Sequence, residues 1–329
     1  MSKRKFFFTL PAQLPLMSSR RLHRSRSKLS PRARKFLLLT IFLGPCIVMI
    51  ALFWFGPVFL TVFLSFTDMS IRRAEWHWVG LENYFNIGKH PFTMKVVVNT
   101  AIYVSCTLLW NVFVGLLLAL LTYYMDERSA LFYRALWLLP RSSPPVVYGL
   151  LWLWVLDPTE YGLLNQFVLA LGLSDKPINW LMEYPMLFII LINGFVGCSF
   201  GMIVFSSALK SIPRDYIIAA RVDGASEWRI IKDIILPLLK WPLMFVTAWQ
   251  TLSLLASYEY ILIVTNGGPF YATEVWSLFA YHQAFEHLEL GFGAALAMVL
   301  VIVSIICVVA YMKVFKFRRM ISPAKIEIA

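Results

Sequence analysis

Six stretches of this chain are long and evenly apolar, and that pattern removes most folds from consideration. They fall at about 36–66, 95–125, 135–156, 185–209, 241–264 and 290–315. An apolar run of about 18 residues or more is what a helix needs to cross the hydrocarbon of a bilayer. In lipid every backbone amide must find its partner inside the protein, so only helices and closed barrels cross. These runs are too long and too uniform for barrel strands. The expectation is an all-α polytopic membrane protein with about six transmembrane helices. Charged residues make up 15% of the chain, against about 25% in soluble domains, which leaves too little polar surface for a water-soluble fold.

An even number of spans puts both termini on one side, and charge decides which. With the N-terminus inside, 24 of the 30 Lys and Arg fall in inner segments and five in outer loops, with Arg141 inside the third span. Basic residues mark the cytoplasmic side, so both termini are expected there, in a cell (inner) membrane. The net charge of +12 is thus spread between apolar runs and does not form the single basic face that nucleic acid needs. The expected organisation is a basic cytoplasmic arm over 1–35, a transmembrane domain over 36–316 and a cytoplasmic tail over 317–329. The first apolar run is too long for a cleaved signal peptide and reads as an uncleaved anchor. Phe6–Met17 is too short to span and could at most lie on the membrane surface. Cys46, Cys106, Cys198 and Cys307 lie in apolar segments without CxxC spacing, which suits packing residues better than a disulfide or zinc framework.

The third span carries Pro140, Pro144 and Pro145 beside Ser142 and Ser143. Proline removes a helix donor and clashes with the preceding turn, so the span is expected to be kinked or broken. Arg141 is costly in lipid and is expected to face the protein interior or to snorkel to an interface.

The segment over 210–240 has its own local logic. Pro213 suits a first helical position, Asp215 favours the positive end of that helix, and Asp223–Gly224 signals a turn. Ser226 can cap a second helix running toward Pro237. The result is an amphipathic helix–turn–helix hairpin, with Ala219 and Ala220 leaving a low surface for close approach. On these grounds alone it could dock a partner or lie against the bilayer.

Ala219–Ala220, then Gly224, then Ile234, Leu236 and Pro237 resemble the "EAA" loop of binding-protein-dependent ABC importer permeases of the type I fold. In that family the loop forms a coupling helix in a cleft of the ATPase subunit. The resemblance therefore implies a coupling set of Asp215, Ala219, Ala220, Asp223, Gly224, Ile234, Leu236 and Pro237. Ile218 stands where the family has glutamate, and Asp215, one turn earlier, is the candidate substitute. Trp78–Tyr84 and Thr265–Pro269 with Thr273 are similar to outer segments of sugar-type permeases. The likeness extends over about 36–316, to the maltose-type and glycerol-3-phosphate-type first permease subunit, without the maltose protein's long periplasmic insertion and extra N-terminal helices. It implies a second permease subunit, an ATPase dimer holding ATP and Mg, an extracytoplasmic solute-binding protein, and surrounding membrane lipid.

Transporter sites lie near the bilayer midplane, on polar groups of otherwise apolar helices. Span four offers Asn193, Gly194, Gly197 and Ser199; span five offers Gln250, Ser253, Ser257, Tyr258 and Glu259. Spacing carried over from the maltose-type subunit places sugar contacts at Gly197, Phe200, Gln250, Ser253, Leu254 and Ser257. The same polar residues could instead hold helices together through hydrogen bonds. Glu259 could bind solute, pair with a partner subunit, or lie close enough to the outer surface to be solvated. With no Lys or Arg in spans four to six away from their ends, the expected solute is neutral and polyhydroxylated. No phosphate-binding Gly-x-x-x-x-Gly-Lys motif occurs, so this chain is expected to bind no nucleotide itself and to be non-catalytic. The histidines show no HExxH spacing that would suggest a metal enzyme. An ion-coupled secondary transporter is the rival; it calls for an internal repeat and buried ion-relay groups, and neither is evident.

Overall fold

The structure, a computed structural model, describes residues 30–315. The basic arm up to residue 29, including Phe6–Met17, and the tail beyond 315 lie outside the described residues. The chain divides into two units, residues up to Gly56 and residues from Pro57.

In the first unit, α1 (Pro31–Ile50) is followed by a π-helical turn over Ala51–Phe55. The Ser30 hydroxyl accepts from the Ala33 amide at 3.2 Å, and Pro31 occupies the first turn, where its missing donor costs nothing. Phe36, Phe42, Ile47 and Phe53 are exposed, as suits a helix surrounded by lipid or another subunit.

The helices that follow are α2 (Gly56–Ser65), α3 (Glu82–Lys89), α4 (Thr93–Tyr123), α5 (Glu127–Ser142), α6 (Pro145–Val155), α7 (Leu163–Ala170), α8 (Trp180–Glu183) and α9 (Pro185–Lys210). After these come α10 (Arg214–Val222), α11 (Glu227–Ile230), α12 (Leu236–Leu238), α13 (Lys240–Ala256), α14 (Glu259–Val264), α15 (Trp276–Tyr281) and α16 (Leu290–Val314). Two more π-helical turns occupy Ile231–Ile235 and His282–Glu286. Among the described residues, four helical stretches are long and apolar enough to cross a membrane: Lys35–Ser65, Thr93–Tyr123, Pro185–Lys210 and Leu290–Val314. They coincide with expected spans one, two, four and six.

Expected spans three and five are each built from two helices. Span three breaks between α5 and α6 at Ser143 (φ −77°, ψ 139°), where the chain runs into the Pro144–Pro145 pair. Proline pushes the residue before it out of the helical region, so this break has a local cause. Span five, expected to be continuous over 241–264, breaks between α13 and α14 at Ser257 (ψ 123°) and Tyr258 (φ −137°). No proline or glycine stands there. Tertiary contacts hold the break instead: the Ser257 carbonyl accepts from the Ser277 hydroxyl at 2.9 Å, the Ser257 hydroxyl accepts from Tyr103 at 3.3 Å, and Tyr258 stacks on Tyr281 at 5.1 Å.

The α4–α9 crossing forms the centre of the second unit. A β-carbon added at Gly115 would lie 2.8 Å from the Cys198 carbonyl, one at Gly194 would collide with the Trp110 ring, and one at Gly197 with the Asn111 amide. Small residues let the two backbones approach this closely, which is how helices bind one another where lipid offers no hydrophobic drive. Two apolar clusters flank the crossing. One gathers Tyr103, Ile189, Ile192, Leu156 and Ile261; the other gathers Phe205, Leu209, Ile217, Ile230, Ile235 and Leu239. Cys46, Cys106, Cys198 and Cys307 are all free thiols.

Candidate functional site

The two broken spans and α9 border an open cavity of about 450 Å³. Asn193, Gly197, Phe200, Gln250, Ser253, Leu254, Ser257 and Glu259 all line it. Tyr258 does not; its ring is turned onto Tyr281. Arg141, Ser143, Pro145, Val196, Trp249, Ala256 and Tyr260 complete the lining. The sequence marked Arg141 as a residue needing an interior or interfacial place; that place is this cavity.

Several polar lining groups already have partners. The Gln250 amide donates to the Gly197 carbonyl at 2.8 Å and its oxygen accepts from Asn111 at 3.4 Å. The Asn193 amide donates to the Tyr103 hydroxyl at 2.9 Å, and Tyr103 donates onward to Ser257. These bonds tie α4, α9 and α13 together behind the cavity wall. Phe200 and Trp249 stack with ring centroids 6.1 Å apart, and the Arg141 guanidinium lies 5.5 Å from the Phe200 ring centre. The cavity therefore offers aromatic faces, hydroxyls and two charges of opposite sign, a set suited to a polar solute with an apolar ring face.

Near the other end of α9 lies the hairpin. α10 closes through bonds from the Ala225 amide to the Ala220 carbonyl (2.9 Å) and from Gly224 to Arg221 (3.0 Å), with Gly224 at φ +78°. This double closure over a left-handed residue is the Schellman arrangement, which glycine accommodates without strain. Ser226 caps α11 as expected, accepting from the Arg229 amide at 3.4 Å. Arg221 Nε donates to Glu227 at 2.8 Å across the turn, and that bond holds the Glu227 carboxyl below its ordinary value.

Ile217 and Ile230 are buried in the second apolar cluster and Ala220, Ala225 and Ile234 pack against it, so both arms of the hairpin are keyed into the bundle. Tyr216, Ile218, Val222 and Trp228 face outward with Ala219 between them. Asp215 sits in the first turn of α10 and Asp223 forms its C-cap, while Leu236 and the exposed Pro237 belong to the single turn of α12. A projecting apolar face on a rigidly anchored hairpin is suited to receiving another protein. Ile218, at the family's glutamate position, is part of that face.

The outer-segment motifs have structural work of their own. Asn83 donates to the carbonyls of Ser65 (3.0 Å) and Thr67 (2.8 Å), pinning α3 under the end of α2. In the 265–273 loop, Thr273 donates to the Gly268 carbonyl (2.8 Å) and shares a bond with the Thr265 hydroxyl (2.7 Å). His282 bridges Glu274 (2.9 Å) and Asn266 (3.0 Å). Burial lowers the His282 pKa, but the Glu274 hydrogen bond and the charges of Glu274 and Glu286 outweigh it and leave the imidazole above its ordinary value. Among the described residues, no cluster of His, Cys, Asp and Glu is arranged to hold a metal ion.

Residues 111–321, which include α9, the hairpin and both helices of span five, match the family model described as the binding-protein-dependent transport system inner membrane component. The chain belongs to that family. This permease is 31% identical over 280 residues to the probable ABC transporter permease protein YurN of Bacillus subtilis, covering 84% of this chain and 95% of the relative. It is 30% identical over 298 residues to the trehalose/maltose transport system permease protein MalF of Thermococcus litoralis, covering 89% and 98%. Its fold is similar to that of a chain in the crystal structure of a bacterial ABC transporter involved in alginate import, with a TM-score of 0.77 at 21% identity, covering 88% of this chain and 97% of that one. The permease is thus a transport component with the fold of ABC importer permeases, and the ion-coupled rival is not favoured.

Proposed function

We propose that this permease carries a sugar or similar polyhydroxylated solute inward across the cell membrane, driven by a separate ATPase that docks on the hairpin around α10 and α11. The observation that carries the reading is the hairpin itself: a closed turn at Gly224, an exposed apolar face, and two arms keyed into the bundle through Ile217 and Ile230. A displacement imposed on that face is passed to α9 and α13, whose residues line the cavity, because close-packed interiors transmit strain. The breaks at Ser143 and Ser257 border the same cavity, where irregular backbone at membrane depth is tolerated.

The sugar class rests on the aromatic and hydroxylic lining and on the trehalose/maltose and alginate transport named for the relatives. ATP and Mg belong to the ATPase dimer, and this chain is non-catalytic. A second permease subunit and an extracytoplasmic binding protein complete the assembly. The hairpin faces the cytoplasm with both termini, as the 24 inner basic residues direct.

The test is purification in mild detergent followed by reconstitution. The permease should bring its ATPase with it, and uptake into vesicles should require ATP and the binding protein. Uptake by this chain alone, driven by an ion gradient, would sink the proposal.

A further inference from the structure

We infer that Tyr103, which does not itself line the cavity, is a positioning residue for solute recognition. It sets which hydrogen-bonding atoms Asn193 and Ser257 turn toward the solute. This rests on the reading of the cavity as the solute pathway and adds how its wall tells one solute hydroxyl from another.

Tyr103 stands on α4 and is fully buried, in the apolar cluster that holds Ile189, Ile192, Leu156 and Ile261. Packing around the ring gives its hydroxyl one place. There it meets two residues of the cavity wall that come from different helices. The Asn193 amide nitrogen, on α9, donates to it at 2.9 Å, and it donates to the Ser257 hydroxyl, at the break in span five, at 3.3 Å. Asn193 and Ser257 both line the cavity, whereas Tyr103 lies behind them. Every member of this chain of bonds belongs to the same polypeptide, and Tyr103 and Asn193 are buried within it.

A phenol has a single O–H to give, so the direction of the chain follows from the group that meets it first. Because the nitrogen of Asn193 faces Tyr103, the Tyr103 proton goes onward and Ser257 receives it. Asn193 is left with its carbonyl oxygen turned away from Tyr103, an acceptor. Ser257 is left with its own O–H, a donor. Gln250 adds no competing group, since its amide is spent on the Gly197 carbonyl and its oxygen on Asn111. The wall therefore offers an acceptor from α9 and a donor from span five, and two hydroxyls of one saccharide answer both. A supporting residue locked by packing keeps such a pair in place. Without the Tyr103 hydroxyl, the Asn193 amide is free to turn over and the Ser257 hydroxyl to rotate, and the wall loses this polarity.

Tyr148 supplies a control. Its hydroxyl is buried as well, but it donates to the Ile192 backbone carbonyl at 2.9 Å and forms no hydrogen bond to a lining side chain.

The experiment uses the complete complex with its binding protein in proteoliposomes. It follows ATP-driven uptake of labelled glucose and galactose disaccharides and of their monodeoxy analogues. The binding protein is the same throughout, so a change in the ratio of parent to deoxy sugar comes from the permease. The wild type should reject at least one analogue, because a site built to bond a hydroxyl leaves its own groups unpaired when that hydroxyl is missing. Tyr103→Phe keeps the ring and removes the hydroxyl. It should reduce that ratio about 2–10-fold, the worth of one neutral hydrogen bond. Ser257→Ala should reduce the same ratio, and combining the two should reduce it little further, since both break one chain. Tyr148→Phe should lower the thermal unfolding temperature of the complex and leave the ratio in place. A wild type indifferent to every analogue, equal losses of parent and analogue in Tyr103→Phe, additive losses in the double variant, or a ratio that moves as much in Tyr148→Phe would each overturn the inference and leave the sugar-permease reading standing. Uptake of none of these saccharides would overturn both.

Discussion

Replacing Gly224 with alanine adds one methyl group at a position where a β-carbon would meet nothing within 4 Å. The cost of this substitution therefore comes entirely from the backbone. At φ +78° an L-residue is penalised by about 1–2 kcal/mol, because its β-carbon crowds the following carbonyl. That energy lowers the ratio of closed to opened hairpin by about 5–30-fold, and the opened form lacks the Ala225–Ala220 and Gly224–Arg221 bonds that end α10. Valine at the same position is worse, since a β-branched residue in the left-handed region is a genuine outlier. Asparagine visits that region at lower cost and should keep most of the function. The assay is co-purification of the ATPase at graded concentrations, together with ATP-driven uptake in vesicles. Both should fall in the order glycine, asparagine, alanine, valine, while the helical content of the purified variants stays the same. Alanine indistinguishable from glycine in assembly and uptake would refute the backbone argument. Asparagine worse than alanine would show that the docked partner needs the space above residue 224, so that side-chain size and not φ is what matters.

The α4–α9 crossing gives a second expectation. A β-carbon at Gly197 collides with the Asn111 side chain, which bonds to Gln250, which in turn holds the Gly197 carbonyl. Gly197→Ala should cost about 1–3 kcal/mol through overpacking, read as a lower thermal unfolding temperature in detergent; an unchanged temperature would show that the helices part without penalty. The His282 bridge gives a third. A pKa raised in the folded state means that the charged imidazole stabilises the 265–274 loop fully below the ordinary value of 6.5, and that this stabilisation is lost as pH rises through the raised value. Hydrogen exchange in the loop should therefore show protection that weakens with rising pH beyond the change expected from chemistry alone, and His282→Gln should abolish that excess. Equal pH dependence in the variant would remove His282 from the account.

Much of the hairpin was legible in the sequence because its determinants are local. Pro213, the Asp223–Gly224 pair and the Ser226 cap each act over a few residues; the structure places the Gly224 turn and the Ser226 cap as read, while Pro213 stands one position earlier than expected, as the N-cap of α10. The break in span three was legible for the same reason, since two prolines follow Ser143. The break in span five was not. Ser257 and Tyr258 carry no local breaker, and the extended backbone there is held by Tyr103, Ser277 and Tyr281 from distant parts of the chain. The candidate cavity was half legible. Eight of the eleven residues read from spans four and five do line it, while Gly194, Ser199 and Tyr258 do not, and Arg141, Ser143, Trp249 and Tyr260 were not assigned to it.

By itself, the sequence determined that the chain enters the membrane, where its long apolar helices fall, and that a short hairpin follows span four. Each of these depends on apolar run length or turn chemistry within a short window. Only the tertiary structure decided which face of each helix looks inward, which polar groups are spent on neighbouring helices, and that Arg141 and Glu259 share one cavity without pairing. The physical reason is that a helix apolar on all sides, such as α9, carries no periodic signal of its inner face. Small residues such as Gly115, Gly194 and Gly197 choose that face by allowing close approach, and the choice exists only once both helices are in place.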